Sequence, residues 1–325
     1  MAAPVTHLNL PVDDCVITFR TDVSGVKGRL VRLGPISHAI IAAHALPTEA
    51  AAFLGEIIVL AALAGSVLQD TGNIAVQTKT DGLVSVLYAD CEAPGRLRGY
   101  ARADTGSLQA LSDAGETPAR TRLIGQGHLA LTFEAGGDSE RYQGVIAFDG
   151  GTLADGAARY FEQREALPTF VRAAAAQHYA AASAASAAGP QWRCGGIMIQ
   201  YPDGRLDGSG HLDGASDDDP QDDPWQRVRV LTETVEDHER LDPNLTAEQL
   251  LLRLYHEEGV IIERVTPLVT YCKCSREKIT NVLATFNDDD IRDMSDDNGQ
   301  ITVTCEFCAK SYAFAAESVA KRQAE

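Results

Sequence analysis

The chain has 325 residues, 45% of them hydrophobic and 23% charged, a soluble globular composition with room for two domains or for one domain and a substantial appendage. A formal net charge of −18 weighs against non-specific nucleic-acid binding, which needs cationic surface to displace counterions. The opening MAAPVTHLNLPVDDC lacks the basic and apolar regions of a secretory signal, and the apolar run IIVLAALAGSVL (57–68) falls short of a membrane span, so a cytoplasmic protein is expected.

DDCVITF (13–19) and VKGRLVRL (26–33) have the alternation of strands. TEAAAFLGEIIVLAALAGSVL (48–68) reads as a buried helix with Thr48 as its N-cap. NIAVQTKT and LVSVLYAD follow as a hairpin joined at Asp81-Gly82, residues that tolerate positive φ. RLRGYAR (96–102), HLALTFE (128–134) and RYQGVIAFDG (141–150) continue the strand pattern, and a helix is expected over roughly 152–166. The alanine-rich stretch 173–189 is ambiguous, since its alanines favour helix but it carries no large apolar stripe. GGIMIQYP (195–202) reads as a further strand. Residues 1–202 therefore form one mixed α/β domain with largely antiparallel strands.

Composition changes next: residues 203–245 hold 13 acidic and 4 basic side chains, and SDDDPQDDP (216–224) is expected to be loop or disordered. WQRVRVLTETVEDHE (225–239) suits an amphipathic helix, with Trp225 expected to pack. LTAEQLLLRLYHEEG (245–259) is a helix with a Thr246/Gln249 capping box, a Leu245/Leu250 staple and a Gly259 stop. Residues 203–262 are thus an acidic, partly helical, metastable linker, and 263–325 a small C-terminal module in an α+β chain.

Four of the seven cysteines fall in that module, Cys272 and Cys274 in YCKCSRE and Cys305 and Cys308 in TCEFCAK. Two clips of thiolates suit tetrahedral zinc, one ion per chain. CEFC is expected as a knuckle between strands 301–305 and 310–314. Ser275 is expected to cap a helix bearing Ile279, Val282, Leu283 and Phe286, so Cys274 precedes a helix N-terminus, with Arg276 and Lys278 adding positive charge. Such thiolates bind metal and also react with oxidants. A structural zinc knot, a redox-switched zinc centre and a catalytic dithiol all remain open at this stage. Cys15, Cys91 and Cys194 lack cysteine neighbours and are expected to be buried small residues. Residues 266–325 hold 7 Lys/Arg against 10 Asp/Glu, which disfavours a zinc-ribbon nucleic-acid-binding module. No Walker A motif, dinucleotide fingerprint or nucleophile elbow is present, and no enzymatic role is expected.

The ordered set RYQG (141–144), YFEQREALPT (160–169), GGIMIQ (195–200), YCKCSREKI (271–279) and CEFCAKSYAF (305–314) resembles the bacterial redox-regulated 33 kDa heat-shock chaperone family, a family of holdases. Arg164-Glu165-Ala166 departs from the Ser-Glu-Gln often found there, and the Asp-rich insertion is peculiar to this chain. The resemblance implies a reduced, zinc-bound, inactive state with Cys272, Cys274, Cys305 and Cys308 as ligands. It implies oxidation to Cys272–Cys274 and Cys305–Cys308 disulfides, zinc release, unfolding of module and linker, and homodimerisation. It also implies ATP-independent holding of unfolding client proteins, then their hand-over to ATP-dependent chaperones. A thiol–disulfide oxidoreductase is the alternative function beside the zinc ribbon.

Overall fold

A computed structural model describes residues 11–68, 70–136, 141–180, 189–202, 204 and 223–323. The chain divides into two units, 1–270 and 271–325.

The first unit is organised around helix α2 (Thr48–Gly65), whose side chains are buried almost all round. It follows β1 (Cys15–Thr21), β2 (Lys27–Leu33) and α1 (Pro35–Ala42). The apolar length of α2 matches a membrane span, yet 78% of it is buried within the unit, as befits a core helix. Pro47 rather than Thr48 holds its N-cap position, with no side-chain cap bond; Thr48 is the first helical residue.

Strands β3 (Asn73–Thr80), β4 (Val84–Glu92) and β5 (Arg96–Ala103) follow, then helices α3 (Thr105–Asp113) and α4 (Arg120–Ile124). The β3–β4 hairpin forms as expected, but neither Asp81 nor Gly82 has positive φ. Gly82 is needed for space, because a Cβ there would lie 2.4 Å from the Ile124 carbonyl carbon. Next come β6 (Gly127–Glu134), β7 (Arg141–Phe148), α5 (Leu153–Glu165), β8 (Thr169–Ala180) and β9 (Gly189–Gln200). The segment 169–180 is strand, resolving part of the alanine-rich ambiguity: pairing with β9 from Thr169↔Gln200 to Ala180↔Gly189 outweighs alanine's helix preference. Residues 181–188 lie outside the described residues.

The unit closes with α6 (Pro224–Glu233), α7 (Asp237–Leu241), α8 (Ala247–Tyr255), β10 (Val260–Pro267) and β11 (Val269–Thr270). Asp223 and Pro224, at the end of the expected loop 216–224, instead start α6: the Asp223 carboxylate accepts the N–H groups of Trp225 and Gln226, and Pro224 takes the first turn. The remainder of that stretch, 216–222, lies outside the described residues. The α8 capping box forms as expected, with Thr246 and Gln249 exchanging side-chain-to-backbone bonds of 3.0 and 3.2 Å.

Two sheets result, β10-β1-β2-β9-β8 and β11-β5-β4-β3-β6-β7, antiparallel throughout except for the two-residue β11–β5 pairing. The five-stranded sheet is apolar on both faces. Val16, Val31, Leu33 and Met198 point to the α2 side, while Cys15, Ile17, Phe19, Leu30, Ile197 and Ile199 point the other way. The second face is covered by Trp225 and Val228 of α6, Val235 just beyond its end, and Leu250, Leu251, Leu254 and Tyr255 of α8. The Gly195-Gly196 pair permits close approach from both sides: a Cβ on Gly195 would lie 2.6 Å from the Arg240 carbonyl, and one on Gly196 2.4 Å from Val59 Cγ1.

The second unit contains α9 (Arg276–Leu283), α10 (Asp288–Asp293), the antiparallel pair β12 (Gln300–Thr304) and β13 (Ser311–Ala315), and α11 (Ala316–Gln323). Leu283, Ile291, Ile301, Phe314 and Val319 form its buried cluster. The molecule is thus α+β with antiparallel-dominated sheets and a small C-terminal cysteine-bearing unit.

Candidate metal centre

The hairpin β12–β13 places Cys305 one residue beyond its first strand and Cys308 within the turn. The turn closes through Cys305 N–H to Lys310 O (3.0 Å) and Ala309 N–H to Cys305 O (2.9 Å), with Ala309 left-handed at φ 53°. This is the knuckle expected from CEFC. Cys272 and Cys274 lie on the extended approach to α9, whose N-cap Ser275 accepts the Lys278 N–H at 3.2 Å. Cys274 therefore abuts a helix start, as expected.

The four sulfurs lie within 4.8 Å of one another, with Cys272–Cys305 at 3.6 Å and Cys274–Cys308 at 3.5 Å. A tetrahedral zinc with 2.3 Å bonds has sulfur–sulfur edges of about 3.8 Å, so the cluster has the dimensions of a metal site. These two contacts each join one clip to the other, as a cation shared by both clips requires. All four cysteines are half-buried and free. The Cys272 sulfur faces the backbone N–H of Cys274, and that of Cys308 the N–H of Lys310, donors suited to thiolates.

The thiols are not equivalent. Burial, with neighbouring thiols adding to it, pushes Cys272 up to about 12 and also raises Cys308. Cys274 is lowered to about 7, chiefly by the Tyr312 hydroxyl 3.2 Å from its sulfur, and Tyr312 is raised in turn to about 12. Tyr312 is a site residue that motif reasoning missed. Its only sequence signal is the alternation of KSYAF, which turns Tyr312 and Phe314 to the same side of β13.

Arg276 and Lys278 also make contacts beyond the positive charge expected of them. The Arg276 guanidinium stacks 4.6 Å from the Phe314 ring centroid and donates to Ala313 O at 2.7 Å, while Lys278 Nζ donates to Lys273 O at 3.0 Å. Both brace the cysteine loop through backbone and ring contacts. Of the expected α9 stripe only Leu283 is fully buried; Ile279 is partly buried, and Val282 and Phe286 are exposed. Cys15, Cys91 and Cys194 are buried in the first unit, where burial pushes Cys15 up to about 11 and the other two to about 12.

The family model described as Hsp33 protein matches residues 14–315. A 33 kDa chaperonin of Caulobacter vibrioides is 37% identical over 301 residues, 93% of this chain and 94% of the relative. One from Pseudomonas aeruginosa is 32% identical over 304 residues, covering 93% and 92%. The crystal structure of the Thermotoga maritima 33 kDa chaperonin, an Hsp33 homologue, superposes with a TM-score of 0.73 at 20% identity, covering 96% of this chain and 98% of that one. Fold, cysteine cluster and relatives together define a heat-shock chaperone with four clustered cysteines able to hold a metal ion. The chain belongs to the Hsp33 family.

Proposed function

We propose that the protein is a cytoplasmic, redox-regulated, ATP-independent holdase, inactive when reduced and zinc-bound. The observation that carries this reading is a four-sulfur cluster in a unit whose fully buried hydrophobic residues, among those described, are Leu283, Ile291, Ile301, Phe314 and Val319. So little burial leaves folding dependent on metal binding, which contributes on the order of 10 kcal/mol in structural zinc sites. Cys272, Cys274, Cys305 and Cys308 hold zinc as thiolates. Zinc, when bound, offsets half of the charge of these four thiolates and lends its binding free energy to folding.

Oxidation by hypochlorous acid or peroxide joins Cys272 to Cys274 and Cys305 to Cys308. Each bond removes two electrons from a thiolate pair, and the oxidant is reduced to chloride or water. Neither disulfide ligates the metal, and neither links one clip to the other. Residues 263–325 lose their folded state, and the linker 203–262 follows. The linker carries α6, α7 and α8, whose departure bares Ile17, Phe19, Leu30, Ile197 and Ile199. We assign client binding to that sheet face, which supplies contiguous apolar surface for unfolding chains. Homodimerisation accompanies the oxidised state, and reduction returns clients to ATP-dependent chaperones. The test is suppression of aggregation of a heat-denatured client by reduced zinc-loaded and by oxidised protein. The reading predicts suppression only after oxidation.

A further inference from the structure

A cleft of about 700 Å3 opens in the first unit between β2, β6, β7, β9 and α5. Phe133, Tyr142, Phe161 and Leu167 make its apolar wall, and Arg29 and Gln200 supply its inner polar groups. It lies on the α2 side of the five-stranded sheet, opposite the face covered by α6–α8, because Arg29 and Gln200 share the parity of Val31 and Met198.

Arg29 is the unusual member. Its Nη1 donates to Gln200 Oε1 and lies 3.7 Å from Met198 Sδ, while its Nε is buried with no hydrogen-bond partner. Among the described residues no carboxylate comes within the 4.0 Å of an ion pair with it. Other enclosed arginines of the unit have a carboxylate partner: Arg98 pairs with Asp90 at 2.7 Å, Arg193 pairs with Asp13, and Arg32, whose Nε is likewise without a hydrogen-bond partner, lies 3.9 Å from Asp13 and donates to two backbone carbonyls. Burial lowers Arg29 to about 10, which leaves it cationic at neutral pH. Gln200 is itself fixed by donating to Thr169 Oγ1 at 3.2 Å, so the guanidinium is held in place. The opposing charge that acts on Arg29 is Glu263, which is 43% exposed and makes no ion pair with it; a largely buried cation without an ion pair is costly, and an anion entering the cleft offsets that cost.

We propose that this cleft binds a medium-chain aliphatic carboxylate, headgroup on Arg29 and chain along Phe133, Tyr142 and Phe161. The volume falls within the range of small-ligand sites, and one charged group in an apolar wall is their common composition. Tyr142, 48% exposed, is the aromatic lip through which the chain enters. Glu165, exposed at the end of α5, is hydrated and repels an anion at the mouth, which fixes the orientation with the carboxylate inward. The site is independent of the cysteines and of the face beneath the linker.

The test is calorimetric titration of full-length, reduced, zinc-loaded protein with decanoate below its micellar concentration. Decyltrimethylammonium and decanol serve as controls. One saturable decanoate site is expected, at least about tenfold tighter than either control, the discrimination of a charge-assisted bond. Arg29→Met is expected to weaken decanoate about tenfold or more and leave decanol unchanged, and Tyr142→Ser to weaken both. Hydrogen exchange of the unaltered protein, which needs no variant to fold, should slow in β6, β7 and α5 when decanoate is added. Equal affinity for the cationic control, no saturable binding, or Arg29→Met binding decanoate as before would each overturn the proposal.

Discussion

The Tyr312 hydroxyl lies 3.2 Å from the Cys274 sulfur, so a residue of strand β13 sets the acidity of a thiol that stands just before helix α9. A hydroxyl donating to a thiolate stabilises the charged form and lowers the pKa, here from 9.0 to about 7. Tyr312→Phe removes the donor. In reduced, zinc-loaded protein, where this unit is folded, a competing chelator should then remove the metal at about tenfold lower concentration, the worth of one hydrogen bond to a charged ligand. An unchanged metal affinity would mean that the hydroxyl does not contact the thiolate in solution.

Asp13 ties the acidic segment to the sheet through two arginines. Its carboxylate accepts from Arg193 and lies 3.9 Å from Arg32, whose own side chain is fully buried. Those arginines donate to the carbonyls of Leu241, Asp242 and Leu245, the orphan acceptors at the end of α7 and the entry to α8. Asp13→Asn leaves the cations uncompensated and should destabilise this junction by about 3 kcal/mol. Hydrogen exchange through 235–255 should accelerate in reduced protein, while β3–β6 keep their protection.

Trp225 is 1% exposed between α6 and the sheet. Trp225→Ala should cost about 3–5 kcal/mol locally. On the proposed mechanism the reduced variant suppresses client aggregation without oxidant. Reduced protein that stays silent, while exchange shows α6–α8 released, would dissociate the apolar sheet face from client binding.

Removing the metal by chelation should unfold 271–325 selectively. Exchange protection in β12, β13 and α9 should vanish, while α2 and the strands around it retain theirs. Retained protection in β12 and β13 after complete chelation would show that the cluster of Leu283, Ile291, Ile301, Phe314 and Val319 suffices by itself.

What the sequence disclosed follows from which interactions are local. The α8 capping box, the Ser275 cap and the β3–β4 hairpin depend on residues a few positions apart, and all are present in the structure. The cysteine cluster was legible because each clip carries its partner within three positions. Non-local effects were hidden. Strand β8 is alanine-rich and becomes strand only because β9 lies beside it. Trp225 packs as expected, but the acidic composition around 203–245 concealed Val228 and Val235, whose burial depends on the second apolar face of the five-stranded sheet. Nor did sequence spacing reveal Tyr312 beside Cys274, since their contact spans 38 positions.

The most direct test of the redox switch follows zinc release and holdase activity together in one oxidised sample. Reduced protein should carry one zinc and fail to protect a heat-denatured client. Hypochlorous acid should release the zinc, form the Cys272–Cys274 and Cys305–Cys308 disulfides and confer protection, all reversed by dithiothreitol. Full zinc release with both disulfides formed and no gain in protection would contradict the account.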